Sequence, residues 1–399
     1  MKLLNADNCL GAAELKILFH HRIRSKDGQA VHMEEMIAAF RALGHEVRLV
    51  GPKAFAQAEF GHDPKPLGRL KALIPKTAYE VLELGYNIPA YFRLRRAWRD
   101  FQPDFIYERH NLYFLAGTWL KNARHVPLLL EVNAPLARER GTHGGLGLPG
   151  LARRLECRVW KSADHVLPVT QVLAKEIIDR GVASQKTEVV SNAIDPAKFH
   201  RDDKAAETAR SQLNVAGKIV LGFTGFVRDW HGLDMIVGAL AQPEFANAHL
   251  VVLGDGPAVP ALKAQAAALG VSRQVTFAGL VARGQVGNLI AAFDIALQPK
   301  CVEYASPLKL FEYMALGKAI AAPDQPNIRE VLEPEKTALL FDPDDRKALL
   351  RSVIRLIENA ALRERLGSAA AEAIVARGFT WRQNAARVAA LGAKARENI

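Results

Sequence analysis

The residues best suited to chemistry lie close together in Ser306-Pro-Leu-Lys-Leu-Phe-Glu-Tyr-Met-Ala-Leu-Gly-Lys318. Ser306 is placed to cap a helix that starts at Pro307, where a missing amide hydrogen costs nothing, and continues through Leu308. The free amides and positive pole of such a helix suit a diphosphate. Lys309 would sit in the first turn and oppose the helix dipole, a placement that is unfavourable unless an anion lies nearby. One turn later Glu312 supplies a carboxylate, the natural acceptor for vicinal hydroxyls of a ribose or sugar. A plain reading stays open beside this one: a capped amphipathic helix in which Lys309 and Glu312 form a surface pair.

A second group is Gly222-Phe-Thr-Gly-Phe-Val-Arg-Asp-Trp-His-Gly232, whose Gly222 and Gly225 allow a tight turn close to a ligand. Arg228 and Lys309 are the expected diphosphate contacts, with His231 assisting. Gly254-Asp-Gly-Pro257 offers a further turn through Gly254 and Gly256. In the first half, Gly28-Gln-Ala-Val-His32 precedes the helical pattern 34–43, and Tyr107-Glu-Arg-His110 and Glu131-Val-Asn-Ala-Pro135 fall where strands should end. Glu108, Arg109 and Asn133 are therefore candidates for contact with an acceptor or donor sugar, although each taken singly is more often a cap or turn residue. The run Gly141-Thr-His-Gly-Gly-Leu-Gly-Leu-Pro-Gly150, with His143, reads either as a loop covering an acceptor or as a passive surface loop.

These residues need strands and helices to position them. Apolar or β-branched runs at 17–21, 46–50, 105–107, 128–132, 165–169 and 188–190 are expected strands, as are 219–223, 249–253, 275–277, 295–298, 319–322 and 338–341. Helical patterns lie between them, among them 34–43, 171–180, 233–240, 259–269 and 308–315. Strand followed by helix, repeated, implies an α/β chain with parallel sheets covered on both faces. The repetition on either side of residue 195 gives two doubly wound, Rossmann-like halves, 1–194 and 195–380, with a hinge between 192 and 218. Residues 381–399 are expected to form a terminal helix that packs back on the first half. Ligands of such sheets bind at the carboxyl ends of strands, so a cleft between the halves is the expected site.

At 399 residues, two domains are the natural expectation, and 49% hydrophobic with 24% charged residues is the balance of a globular protein. Cys9, Cys157 and Cys301 lie far apart, without the spacing of a zinc site or a disulfide framework. No run of about 18 apolar residues occurs, and no signal-peptide core is read at the start, so the expected location is cytoplasmic. Residues 1–200 hold 29 Lys and Arg against 21 Asp and Glu, which places most of the net charge of +11 in the first half. Within it Arg69, Lys71, Lys76, Arg93, Arg95, Arg96 and Arg99 alternate with Leu, Ile, Tyr and Trp98. That mixture suits peripheral docking on an acidic membrane, each cation near the surface contributing roughly 1 kcal/mol, or is simply a solvated basic helix.

The stretch 306–318 with the following 319–323 resembles the carboxy-terminal signature of glycosyltransferase family 4, in a subgroup whose motif begins Ser-Pro-Leu-Lys. The resemblance implies the GT-B fold, two Rossmann-like domains facing each other across a cleft. It also implies a retaining, metal-independent transferase that uses a nucleotide sugar. In the family's terms Glu312 binds the nucleotide ribose, and Tyr304 stands where a first Glu contacts the donor sugar, with Glu303 one residue earlier. Phe226 stands at the family's usual Arg and His231 at its usual Lys. Val281 falls where backbone groups read the base, and Gly28 falls in the family's first glycine loop. Ser306, Pro307, Leu308, Gly225, Gly254 and Gly256 complete the donor side, and Arg228, Lys309 and Glu303 are the expected catalytic groups. The acidic pairs Asp202-Asp203 and Asp344-Asp345 are not read as metal ligands, and neither a metal nor another cofactor is expected. The implied partners are a UDP- or GDP-sugar and a glycan or glycolipid acceptor; no zinc spacing or RNA-binding aromatic motif points to nucleic acid. A nucleotide-sugar epimerase of the same architecture and a non-catalytic two-domain binding protein are the rival readings. A dehydrogenase is disfavoured, because no Gly-x-Gly-x-x-Gly follows the first strand of either half.

Overall fold

The computed structural model describes residues 14–23, 28–52, 74–345 and 347–398. The chain divides into two compact units, Met1–Ser191 with Trp381–Ile399, and Asn192–Thr380. The second unit thus starts at Asn192, three residues before the expected boundary at Asp195.

The first unit runs β1 Lys16–His20, α1 Gly28–Ala42, β2 Glu46–Val50, α2 Lys76–Gly85, α3 Asn87–Phe101, β3 Phe105–Arg109 and α4 Ala116–Arg124. It continues with β4 Leu128–Val132, α5 Leu136–His143, α6 Pro149–Ser162, β5 His165–Pro168 and α7 Gln171–Asp179. Its sheet has the order β2-β1-β3-β4-β5 among the described residues, and every pairing is parallel. β3 and β4 are buried along their whole length, and each accordingly opens on three apolar residues in a row rather than alternating. The strand expected at 188–190 is not one. The Glu188 and Val190 amides donate to Val166 and Pro168 carbonyls at 3.1 and 2.9 Å, a short continuation of the β5 edge before the chain leaves the unit. Helix α1 begins at Gly28, well before the expected 34, so Gly28 opens a helix and does not lie in a loop.

The second unit runs α8 Asp203–Gln212, β6 Ile219–Thr224, α9 Leu233–Ala239, β7 Ala248–Leu253, α10 Val259–Ala268, β8 Val275–Gly279 and α11 Arg283–Ile290. Then come β9 Ile295–Leu297, α12 Leu308–Ala315, β10 Ala319–Pro323, α13 Pro326–Arg329, β11 Leu339–Phe341, α14 Ala348–Glu358 and α15 Ala360–Ala376. Helix α8 starts where Asp202 accepts from the Lys204 and Ala205 amides, each at 3.0 Å. The sheet order is β11-β10-β9-β6-β7-β8, again parallel. Alternate strand residues serve opposite faces: Leu221, Phe223, Leu250 and Ile295 join one core, Val220, Val251 and Ala296 the other with Leu310 and Phe311 of α12.

The last helix, α16 Trp381–Glu397, belongs to the first unit. Trp381 meets the His32 ring edge-on at 4.9 Å, Asn384 donates to the Ser191 carbonyl at 2.8 Å, and Arg396 pairs with Asp104. Gly392 lies so close to β3 that a Cβ there would be 2.4 Å from the Phe105 ring.

Candidate functional site

The second unit's sheet grows from β6 in two directions, through β7 to β8 and through β9 to β11. The connections therefore part at the carboxyl ends of β6 and β9, the place where open α/β sheets bind ligands. The β6 end continues into the turn at Gly225, and the β9 end leads to α12. Lys309, in the first turn of α12, reaches back so that its Nζ stands 3.8 Å from the centroid of the Phe223 ring on β6. A Cβ at Gly225 would lie 3.2 Å from the same nitrogen. Burial lowers the Lys309 ammonium to about 8, with Cys301 and Glu312 acting in the opposite direction. Among the described residues no carboxylate forms an ion pair with Lys309, because the one nearest in sequence, Glu312, is taken by another cation. A desolvated cation without a counter-ion is a place for an anion.

His231 sits beside this cation but is not a second one. Its Nδ1 accepts from the Arg228 amide at 3.1 Å, and its ring packs on Trp230 and Phe223 at 4.0 and 5.2 Å. Burial first, then the charges of Lys309 and Arg228, push it down to about 3. It is thus neutral, with Nε2–H as its remaining donor. Arg228 itself is exposed, its guanidinium 5.0 Å from the Phe226 ring.

The glycine turns support one another. Gly254 has φ +137°, and a Cβ on it would stand 2.0 Å from the Gly225 carbonyl oxygen. The Gly225 amide donates to Leu253, that of Val227 to Asp255, and that of Gly254 to Gly279, at 2.8–2.9 Å. A Cβ at Gly256 would likewise meet the Val227 carbonyl at 2.1 Å. Val281, beyond β8, is half-buried against the core.

Ser306 is not the helix cap. Helix α12 starts at Leu308 with Pro307 in the cap position and no side-chain bond there. The Ser306 hydroxyl instead accepts from the Asn192 amide at 3.2 Å, and the Asn192 side chain donates to the Ser306 carbonyl. Tyr304 is buried and Glu303 exposed. The loop that carries them is held from below by Asn327, whose Nδ2 donates to Val302 and Ala305 carbonyls at 3.1 and 2.8 Å. An Asp-x-Asp spacing does exist, at Asp342-Pro343-Asp344, and the sequence reading overlooked it. It lies just past the edge strand β11, two strands away from β9, where Asp342 accepts from the Asp344 amide at 2.9 Å in a local turn. Among the described residues no three His, Cys, Asp or Glu side chains cluster as metal ligands.

In the first unit the sheet order changes direction between β1 and β3, and there His20 Nδ1 meets Glu108 Oε2 at 2.5 Å. Glu108 is 0% exposed and serves His20, so it is not open to an acceptor as expected. Arg109 is buried and pairs with Glu131, and Asn133 donates to the same carboxylate at 2.5 Å. Glu131 also takes His32 at 3.1 Å and the Tyr107 hydroxyl at 2.8 Å. Burial works to raise Glu131, but the His32 and Arg109 charges outweigh it and hold the carboxyl well below the usual range. These residues form an internal support under the strand ends. Of the run 141–150, read as a covering or a passive loop, half is helix, the end of α5 and the start of α6. Its turn is fixed by buried Glu80, which accepts from the Gly147 and Leu148 amides at 2.7 and 2.9 Å. The His143 side chain, and Arg69 and Lys71 of the basic cluster, lie outside the described residues.

Sequence reasoning missed Arg283, Asn327, Glu80 and His20. Their partners lie 29, 22, 67 and 88 residues away, so no local spacing announces them.

Residues 27–193 match the family described as a glycosyl transferase 4-like domain, and residues 205–373 match the glycosyl transferases group 1. A D-inositol 3-phosphate glycosyltransferase of Nocardioides sp. is 26% identical over 313 residues, 73% of this chain and 68% of that protein. A GDP-mannose-dependent alpha-mannosyltransferase of Mycobacterium tuberculosis is 23% identical over 323 residues, 79% of this chain and 80% of that protein. The crystal structure of Anabaena HepE in complex with UDP-glucose superposes with a TM-score of 0.72 at 21% identity, covering 94% of this chain and 100% of that one. Two parallel-sheet α/β units of the GT-B kind, each matched to a domain of one enzyme class, place the chain among the family-4-type glycosyltransferases.

Proposed function

We propose that the enzyme moves a sugar from a UDP- or GDP-sugar to a glycan or glycolipid acceptor, with retention of configuration and without a metal. The observation that carries this reading is Lys309, a half-buried ammonium without a carboxylate partner among the described residues, at the switch point of the second unit's sheet. In the transfer the bond between the anomeric carbon and the phosphate oxygen breaks, and the acceptor oxygen bonds to that carbon. The acceptor proton passes to the departing phosphate on the same face. Lys309 and the Nε2–H of His231 stabilise the charge that grows on the diphosphate, and exposed Arg228 can swing to join them. Glu312 takes the ribose, and Gly254 and Gly256 let backbone approach the nucleotide. The names of similar proteins support the donor class: HepE was solved with UDP-glucose, and the mycobacterial relative is GDP-mannose-dependent.

An acidic membrane is the proposed docking surface. Val81, Leu82, Ile88, Phe92 and Trp119 are exposed at 40–61% on α2, α3 and α4, beside exposed Lys76, Arg95, Arg96 and Arg99. Apolar residues within a basic field suit an interface of anionic lipid.

A thermal-shift and turnover panel of UDP-, GDP-, ADP- and CMP-sugars, with EDTA present, tests the donor. Stabilisation by one nucleotide that survives EDTA and disappears in Glu312→Ala is expected. Absence of any shift sinks the donor assignment, and a requirement for added divalent metal sinks metal independence. Flotation with anionic and neutral vesicles tests docking, with loss of binding expected for Phe92→Ser/Trp119→Ser.

A further inference from the structure

Glu312 is held in a way that a ribose-binding carboxylate does not require. Its side chain is 6% exposed, and its Oε1 accepts from Arg283 Nη1 at 2.5 Å. Arg283 opens α11, directly after the 279–282 turn that follows β8, and its own side chain remains 30% exposed. One face of its guanidinium lies 5.1 Å from the Phe199 ring. That ring is backed by α11 itself, since a Cβ at Gly287 would touch it at 3.3 Å. The guanidinium is thus fixed by packing as well as by charge. A carboxylate alone offers two oxygens, one for each ribose hydroxyl. Here one oxygen is occupied, while a planar cation with several further N–H donors stands next to the other.

We infer that Arg283 is a specificity-determining residue of the nucleotide subsite. One ribose hydroxyl donates to the open Oε2 of Glu312, and its neighbour accepts from the Arg283 guanidinium, so the two hydroxyls are read differently. The inference rests on the donor reading given above. It carries a consequence for ligands: the 2′- and 3′-deoxynucleotides should be discriminated unequally, because one loses a bond to a carboxylate and the other a bond to a guanidinium.

Calorimetric titration of the whole protein with UDP, GDP, their 2′-deoxy and 3′-deoxy forms and inorganic pyrophosphate tests this. Arg283→Ala should weaken the preferred nucleoside diphosphate by about tenfold, the size of one charged hydrogen bond. It should also make the two deoxy penalties equal, and leave pyrophosphate affinity unchanged. Arg283→Lys, which keeps the charge but not the fork, should retain pyrophosphate binding and fail to restore the unequal penalties. If Arg283→Ala leaves nucleotide affinity and both penalties as they were while Glu312→Ala abolishes binding, the role of Arg283 is overturned and the donor site stands. The role is also overturned if Arg283→Ala weakens pyrophosphate as much as the nucleotide. If neither UDP nor GDP binds more tightly than pyrophosphate to the wild type, the donor reading falls and this inference with it.

Discussion

Lys309 and His231 show how a side chain's neighbours decide its charge. Lys309 is held at about 8 by burial, so near that pH only part of the population carries the charge a diphosphate needs. A bound anion restores the proton. Titration with UDP or GDP at pH 8 should therefore take up a fraction of a proton, visible as a dependence of binding enthalpy on buffer, and affinity should decline above pH 8. Lys309→Ala should abolish that proton uptake and lower kcat/KM by about 10²–10³-fold, the usual effect of removing one charge-stabilising donor. His231 and His21 are both pushed down to about 3, each chiefly by burial. The unfolded chain binds these protons near 6.5 and the native chain only near 3, so stability is lost as the pH falls through that window and is unaffected above it. Each replacement by Asn, whose oxygen can take over the Nδ1 acceptor role toward Arg228 or Ile23, should flatten the slope of stability against pH between about 3.5 and 6 by ~1.4 kcal/mol per unit. The sequence offered His231 as a helping cation; only its packing against Trp230 and Phe223 makes it a neutral donor.

Elements fix what the residues can reach. The turns after β6, β7 and β8 form one block, since Gly254 leans on the Gly225 carbonyl and both bond to neighbouring strand ends. Gly254→Ala should therefore displace the turn after β7 and, on the proposed donor site, cost both donor affinity and thermal stability. Gly270→Ala, also at positive φ (+71°) but with open space around it, should cost only about 1 kcal/mol of backbone strain and leave donor affinity intact. Equal effects of the two substitutions would argue against the block. Most strands were legible: 46–50 and 128–132 appear with the expected bounds, the second as a buried apolar run and the first, partly exposed, through Val47, Leu49 and Val50 between the turn residues Gly44 and Gly51-Pro52. The start of α1 and the turn at 141–150 were not, since Gly28 and a glycine-dense run look like loops unless partners such as Glu80 are known.

At the scale of the molecule, α16 leaves the second unit at Thr380 and completes the first, packing Trp381, Ala385 and Val388 inside. Gly392→Val should overpack the contact with Phe105 and destabilise the first unit by about 1–3 kcal/mol. Calorimetry that resolves the two units should show only one transition moved; a shift of the second unit alone would contradict the assignment of this helix. By itself the sequence determined the α/β class and the two halves, and it singled out Lys309, Glu312 and the glycine turns as neighbours at strand ends. It could do so because periodicity, capping chemistry and strand-end placement are local properties written within about one turn or one strand. The tertiary structure alone decided that Glu108, Arg109 and Glu131 are buried supports, that His231 is uncharged, and that Arg283 closes on Glu312. Those outcomes depend on desolvation and on partners brought together from distant parts of the chain, and neither burial nor a long-range ion pair leaves a mark in local spacing.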